Sequence, residues 1–140
     1  MFLSLRQPLR LALLAALSSL VLLAGCGGTA PPGAVVDVDK YNFRSVVIKS
    51  KRPVLVEFWS HSCEPCKALE PKLISLAKEH AEVVIAKVNS EENEAIALEY
   101  GIRVLPTLFV FRDGEIVRRH TGAPTDKELA DLIAPYARSK

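Results

Sequence analysis

The chain has 140 residues, 49% of them hydrophobic, which is enough to fold around one core. Its 18 basic and 16 acidic residues give a formal net charge of +2, which provides no electrostatic basis for binding nucleic acid. These numbers favour a single globular domain. They do not indicate an activity, which has to be inferred from particular residues and motifs.

The first 25 residues have the pattern of an export signal. Arg6 and Arg10 form a positively charged region ahead of an apolar stretch over residues 11–24. This stretch is shorter than the about 20 residues needed to span a membrane. The stretch ends in Leu23-Ala24-Gly25-Cys26, which resembles the lipobox of bacterial lipoproteins, where the cysteine is lipidated and becomes the new N-terminus. We therefore predict lipidation of Cys26 and a lipid-anchored place in the bacterial cell envelope, facing the periplasm or the outside. An uncleaved anchor, or an ordinary signal with an incidental cysteine, is the alternative.

Residues 26–34 are predicted to be a flexible tether, and residues 35–140 the folded domain. The segment from Gly27 to Gly33 is rich in Gly and Pro and has no apolar periodicity. Loss of the two leader arginines would leave 16 basic residues against 16 acidic ones, so the mature domain is expected to be near neutral.

Strand and helix patterns alternate along the domain. Apolar runs predict buried strands, and apolar residues at helical spacing predict helices. In chain order we predict a strand at 35–38, a short helix at 41–48, a strand at 54–59, a helix at 63–80, a strand at 83–88, a helix at 91–100, hairpin strands at 107–111 and 115–120, and a last helix opened by the capping box Thr125-Asp126-Lys127-Glu128. This order predicts an α/β fold with a mixed sheet.

Two cysteines, Cys63 and Cys66, stand three residues apart where the predicted central strand gives way to a helix. Residues i and i+3 share a helix face, so the sulfurs can meet in the first turn, where unpaired amides and the helix dipole favour a thiolate. Pro65 is tolerated in that turn. The pattern predicts a redox-active Cys63–Cys66 disulfide, with Cys63 as the nucleophile and Cys66 as the resolving cysteine. The alternatives are an inert disulfide or a zinc ligand pair, but the histidines supply no second ligand pair.

Several motifs together resemble those of the thioredoxin family. Phe58-Trp59 ahead of Cys63-Glu64-Pro65-Cys66-Lys67 is similar to the family's Phe-Trp-Ala-x-Trp-Cys-Gly-Pro-Cys-Lys, and Tyr100–Thr107 is similar to the segment around its cis-proline. The resemblance runs from about Val35 to Tyr136 and implies a thioredoxin fold, in which helices flank both faces of a mixed sheet. The sequence departs from the family pattern at Ser62, where a Trp is usual, and at Glu64, where a Gly is usual.

The resemblance also implies a substrate-binding edge. Pro106 matches the family's cis-proline, which would put the Leu105 backbone beside the sulfurs, free to pair with an extended substrate segment. An ordinary trans-proline at the start of a strand is the alternative. Trp59 is expected to pack beneath the site.

A buried acid is the second feature that the resemblance implies. Glu57 stands where the family commonly has a buried Asp, so burial would raise its pKa and suit it to accept the Cys66 proton through water. Lys87 stands where the family has a lysine that pairs with this acid. The alternative is that Glu57 lies at a strand edge or points to solvent.

Two side chains next to the cysteines are expected to tune the site. Ser62 can cap the helical turn or donate a hydrogen bond to the Cys63 sulfur. The Glu64 charge opposes a neighbouring thiolate, which would make the protein a slightly stronger reductant. Pro65, between the two cysteines, is also expected to tune the redox potential.

We therefore expect a membrane-tethered, extracytoplasmic thiol–disulfide oxidoreductase that needs no cofactor or metal and is a monomer. Its expected partners are protein disulfide or dithiol substrates and a membrane or soluble thiol redox partner. Reduction is favoured over oxidation because disulfide-forming oxidases typically carry a large helical insertion, which this sequence lacks. The alternative is a binding or holdase-like module whose disulfide is only structural.

Overall fold

A computed structural model describes residues 30–137, so the predicted signal segment and Cys26 lie outside the described residues. In chain order the elements are β1 (Val35–Val38), a helical turn (Arg44–Ile48), β2 (Val54–Trp59), α1 (Glu64–Glu79), β3 (Val84–Asn89), α2 (Glu94–Glu99), β4 (Thr107–Arg112), β5 (Glu115–Thr121) and α3 (Asp126–Ile133). This succession confirms the predicted order of strands and helices. No helix within residues 30–137 is both long enough and apolar enough to cross a membrane.

The five strands form one mixed sheet in the order β1-β3-β2-β4-β5. β1, β3 and β2 run parallel, whereas β4 is antiparallel to β2 and β5 is antiparallel to β4. β2 lies in the middle, and its first five residues have no solvent exposure. A strand with neighbours on both sides and layers on both faces needs a mostly apolar sequence, and the apolar run around Glu57 is the pattern that predicted this strand.

Alternate residues of β2 face two hydrophobic cores. Leu55 packs with Leu69 and Leu73 of α1 and with Leu129 of α3 on one face of the sheet. The opposite face has its own cluster, drawn from β2, β3, β4, the helical turn and α2, with these β2 members: Val54, Val56, Phe58. Because side chains alternate along a strand, Glu57 lies on the Leu55 face, beneath α1.

The first predicted helix is shorter than expected. Helical structure covers only Arg44–Ile48, not residues 41–48. The Asp39 carboxylate accepts hydrogen bonds from the backbone amides of Tyr41 at 2.8 Å and Asn42 at 3.0 Å, which holds these residues in a turn. Side-chain bonds of this kind compete with helix formation.

α2 also begins later than predicted. The sequence predicted a helix over residues 91–100, opened by Asn89 or Ser90, but the helix covers Glu94–Glu99. Asn89 Oδ1 instead accepts a hydrogen bond from the Glu91 backbone amide at 3.0 Å, which holds the chain in a turn ahead of the helix. The predicted end at residue 101 is confirmed by a glycine with φ of +67°.

Ala30, the first residue that the structure describes, lies in the predicted tether and packs against the domain. Ala30 is only 8% exposed and belongs to the core cluster on the α2 face. Its carbonyl accepts a hydrogen bond from the Arg52 guanidinium. The first described residue of the predicted tether therefore lies against the folded domain, and the flexible tether over residues 26–34 stays a prediction.

Candidate active site

A disulfide joins Cys63 and Cys66 at the N-terminus of α1, with the Cα atoms 5.3 Å apart. Cys63 is the N-cap residue, and its Sγ accepts a hydrogen bond from the Cys66 backbone N–H at 3.3 Å. Cys63 is partly exposed, whereas Cys66 is only 3% exposed. Pro65 lies in the first turn of the helix, as predicted. A molecule approaching from solvent therefore reaches Cys63 first.

Ser62 makes neither of the contacts predicted for it. Cys63, and not Ser62, caps α1. The Ser62 hydroxyl lies 3.0 Å from the Ser60 hydroxyl and donates to Glu91 Oε1 at 3.0 Å. Ser62 thus ties the loop before the disulfide to the loop after β3. Glu91 gave no signal in the sequence because the contact joins two loops that are 29 residues apart.

Glu57 is completely buried, and neither of its carboxyl oxygens has a hydrogen-bond partner. Burial raises the pKa of Glu57 from 4.5 to about 7; the Lys87 charge acts in the opposite direction, and the Glu70 charge adds to the rise. The predicted burial and the predicted rise in pKa are both confirmed. A solvent-facing Glu57, the alternative, is wrong. A carboxyl with a pKa near neutrality can accept and return a proton under physiological conditions.

Lys87 lies beside Glu57 but pairs with a different acid. The two residues are register partners on β3 and β2. Lys87 Nζ donates to Glu70 Oε1 at 2.6 Å and lies 4.4 Å from the centre of the Trp59 ring. The ion pair predicted between Lys87 and Glu57 is therefore wrong. Lys87 pairs with Glu70 instead, because the half-exposed Glu70 carboxylate keeps more of its hydration in its charged form than the buried Glu57 carboxylate would. Glu70 could not be found from the sequence, because its place one helical turn after Cys66 does not show that it lies over β3.

Trp59, the last residue of β2, contacts the Lys87 and His61 side chains, and its packing beneath the disulfide stays a prediction. Its ring lies between the Lys87 ammonium and the His61 ring, whose centre is 4.9 Å away. The indole Nε1 is buried without a hydrogen-bond partner. Trp59 and Lys87 line a cleft of about 420 Å³ together with residues of β1 and of the loop after β3. The side chain thus supports Lys87 and forms one wall of the cleft.

The Leu105–Pro106 peptide bond is cis, as the resemblance implied, so the trans alternative is wrong. The Pro106 carbonyl accepts the Gly122 amide at 2.8 Å, and the Thr107 hydroxyl donates to the Val104 carbonyl at 2.7 Å. These bonds fix the segment that enters β4. Pro106 is buried and Leu105 is partly exposed. Substrate pairing through the Leu105 backbone stays a prediction.

Glu64 lies in the first turn of α1, and its exposed carboxylate is 2.5 Å from the Lys67 ammonium. The effect predicted from the sequence rested on the Glu64 charge alone. The Lys67 charge is expected to offset part of the field that Glu64 exerts on Cys63, so we expect a weaker effect on the thiolate than the Glu64 charge alone would have.

Within residues 30–137, no group of three or more His, Cys, Asp or Glu side chains is arranged to hold a metal ion. The zinc alternative therefore gains no ligands from the described part of the chain beyond the two sulfurs.

Comparison with known proteins decides the family. The thioredoxin family model matches residues 34–135, which is most of the chain. The chain belongs to the thioredoxin family. Its mixed five-stranded sheet with helices on both faces is the thioredoxin fold.

Individual thioredoxins agree with this assignment. Chloroplastic thioredoxin M5 from Oryza sativa is 41% identical over 106 residues, covering 75% of this chain and 62% of that protein. Thioredoxin from Haemophilus influenzae is 38% identical over 100 residues, covering 71% of this chain and 94% of the relative. A mutant thioredoxin from Halobacterium salinarum superposes with a TM-score of 0.70 at 35% identity, over 81% of this chain and 99% of that structure.

Family membership and the Cys63–Cys66 disulfide make the protein a thiol–disulfide oxidoreductase. Thioredoxins act on protein disulfides together with redox partners, and they need no cofactor. The chemistry therefore lies in the side chains already described.

Proposed function

We propose that the protein is a membrane-tethered, extracytoplasmic thioredoxin that exchanges protein disulfides through Cys63 and Cys66 and acts chiefly as a reductant. The asymmetry of the disulfide carries the proposal: one sulfur is partly exposed at the start of a helix and the other is buried. Such a pair attacks through its outer sulfur and resolves through its inner one.

The first half of the reaction belongs to Cys63. In the reduced protein, the α1 N-terminus stabilises its thiolate, which attacks one sulfur of a substrate disulfide. A mixed disulfide forms, and the second substrate sulfur leaves as a thiolate that takes a proton from solvent.

The second half belongs to Cys66 and Glu57. The Cys66 thiol gives its proton to the Glu57 carboxylate through water, and the new thiolate attacks the Cys63 sulfur. The substrate sulfur that was bound to Cys63 leaves as a thiolate and takes up a proton. Glu57 then releases its proton to solvent through water. Two electrons and two protons move in total from the protein dithiol to the substrate.

Substrate binding is assigned to the segment before β4. The partly exposed Leu105 lies next to the cis-proline Pro106, where an extended substrate segment would pair with the backbone by strand addition. Trp59 and Lys87 wall the cleft on another side of the site.

Attachment to a membrane is supported by the leader sequence and by the packing of Ala30. The lipobox-like Leu23-Ala24-Gly25-Cys26 follows a basic, apolar leader. Cys26 stands four residues before Ala30, so the connection between them spans at most about 13 Å. A lipid on Cys26 would hold the domain close to the membrane surface.

The proposed direction of exchange, reduction of the substrate, rests on the order of helices and strands in the described residues. The described residues run from β1 to α3 without the large helical insertion of disulfide-forming oxidases.

Reduction of insulin by dithiothreitol tests the proposed activity. The wild-type protein and a Cys26→Ser variant, which keeps the dithiol, are expected to accelerate insulin precipitation. Cys63→Ser and Cys66→Ser are expected to lose the acceleration. A wild-type protein that gives no acceleration, but suppresses aggregation equally well with and without its disulfide, would instead support the holdase-like alternative.

A further inference from the structure

The Glu57 carboxyl is unpaired although a cation lies on the neighbouring strand. Glu57 and Lys87 are register partners on β2 and β3, and their side chains are 0% and 8% exposed. Lys87 nevertheless directs its ammonium to Glu70 on α1, at 2.6 Å, and over the Trp59 ring, at 4.4 Å from the ring centre. Both oxygens of Glu57 are left without a partner.

We propose that Glu70 is a positioning residue, which holds the Lys87 ammonium against α1 and thereby prevents it from forming an ion pair with Glu57. This inference rests on the proposed role of Glu57 as the acceptor of the Cys66 proton. It adds a residue to the site that acts only through Lys87 and Glu57.

Exposure explains why Lys87 pairs with Glu70. The Glu70 side chain is 51% exposed, so its carboxylate keeps part of its hydration while it accepts the ammonium. Charging the fully buried Glu57 would remove a carboxylate from water altogether, which is far more costly. The Trp59 ring face gives the ammonium a second favourable contact away from Glu57.

An unpaired Glu57 suits the proposed chemistry. An opposite charge in direct contact lowers the pKa of a carboxyl by about 1–3 units. A Glu57–Lys87 ion pair would therefore keep the carboxylate charged at neutral pH and make it a weak base. With Lys87 held by Glu70, Glu57 keeps a pKa of about 7 and can take up a proton and release it.

Other titratable groups also face this side of the sheet. Asp37 on β1 is the register partner of Lys87 and is exposed. On the other side, His120 on β5 is paired with Leu108, which is the register partner of Glu57 on β4. The dithiol lies at the start of α1, and α3 contributes the exposed Lys127 and Glu128. The charged groups that act on the Glu57 pKa are Lys87 and Glu70.

The test is the titration of the Glu57 carboxyl, followed by carbon-13 NMR in the oxidised, folded protein. Glu70→Gln keeps the shape of the side chain and removes its charge. We expect the Glu57 pKa to fall by roughly one unit, because Lys87 is released towards Glu57 and the Glu70 charge is gone. Glu79→Gln, at the far end of the same helix, is the matched control and should leave the titration unchanged. An unchanged or raised Glu57 pKa in Glu70→Gln would overturn the inference.

A second background separates the positioning of Lys87 from the direct effect of the Glu70 charge. In Lys87→Met, the Glu70→Gln substitution has no cation to release and should move the Glu57 titration much less than in the wild type. Equal shifts in the two backgrounds would mean that Glu70 acts only through its own charge, and would overturn the positioning role.

The rate of mixed-disulfide resolution separates this inference from the proposed function. If Glu57 accepts the Cys66 proton, the pH midpoint of the resolution rate falls in Glu70→Gln together with the Glu57 titration. Glu57→Gln should remove that midpoint. If the NMR titration shifts but the rate profile does not, the inference about Glu70 stands and the proposed role of Glu57 is wrong.

Discussion

Glu57 shows at the residue scale how burial converts an ordinary carboxyl into a group that titrates near neutrality. Its pKa is 4.5 in an open chain and about 7 in the fold. The folded protein therefore binds an extra proton between these two pH values. Stability from this group is complete below about pH 4.5 and is lost as the pH rises to about 7.

Glu57→Gln is expected to remove this pH dependence. The Glu57 contribution amounts to about 3.5 kcal/mol over the whole window, since one pKa unit corresponds to about 1.4 kcal/mol. Urea unfolding of the oxidised protein at pH 5 and pH 8 measures the difference. Because pH 5 already lies inside the window, the wild type should lose about 2.5 kcal/mol more stability than the variant between the two pH values. Equal losses would contradict a buried, ionising Glu57.

Glu64 is expected to disfavour the Cys63 thiolate only weakly. An unscreened unit charge about 6 Å from the sulfur changes the thiolate equilibrium by about threefold in water, which corresponds to a potential change on the order of 15 mV. The Lys67 ammonium offsets part of this effect.

Glu64→Gln should therefore raise the thiolate fraction by less than about threefold, and by more in a Lys67→Gln background. The potential should become less negative, and both effects should shrink in high salt. Thiolate absorbance and equilibration with glutathione provide the measurements. A lower thiolate fraction in Glu64→Gln would show that another group controls Cys63.

The environment of a single residue could be predicted from the sequence where its burial follows from its position in a strand. Glu57 stands within an apolar run, so its burial and raised pKa could be inferred. The pairing of Lys87 with Glu70 could not, because it depends on which side chain of α1 lies over β3. That choice is made by tertiary packing and leaves no local pattern.

At the scale of elements, the N-terminus of α1 distinguishes the two sulfurs. Alkylation of the reduced Cys26→Ser variant near neutral pH should modify Cys63 much faster than the buried Cys66, because only Cys63 is accessible. Mass spectrometry of peptides after short reaction times gives both rates. Equal rates, or faster modification of Cys66, would contradict the assignment.

The sequence predicted correctly which segments form helices and which form strands, but it was less accurate for the residue at which each helix begins. The long apolar patterns of β2 and α1 gave both elements nearly at their observed bounds. The helices that follow Asp39 and Asn89 begin late because these side chains accept backbone amides and form turns. Such turns use residues that also favour helix N-caps, so composition alone does not distinguish the two.

At the scale of the whole molecule, attachment to the membrane depends on Cys26. Cys26→Ser should abolish palmitate labelling and release the protein from the membrane fraction, while insulin reduction by the purified domain stays unchanged. Labelling that persists in this variant would end the lipoprotein proposal and leave the assignment of the domain untouched.

The whole fold could be predicted because several short motifs with fixed spacing pointed to one family. The sheet order and the two cores follow from that family, whereas the packing of Ala30 does not. That alanine lies in a Gly- and Pro-rich segment, and its carbonyl accepts a hydrogen bond from Arg52, which is distant in the sequence.

Trapping of the mixed disulfide tests the central claim most directly. The reduced protein, in a Cys26→Ser background, is mixed with an excess of an oxidised protein substrate and quenched with acid after short times. With Cys66→Ser, a dithiothreitol-sensitive adduct through Cys63 should accumulate, because the resolving sulfur is missing. With Cys63→Ser, adducts should form far more slowly, since Cys66 is buried. Equal adduct formation in the two variants, or accumulation only through Cys66, would contradict the account.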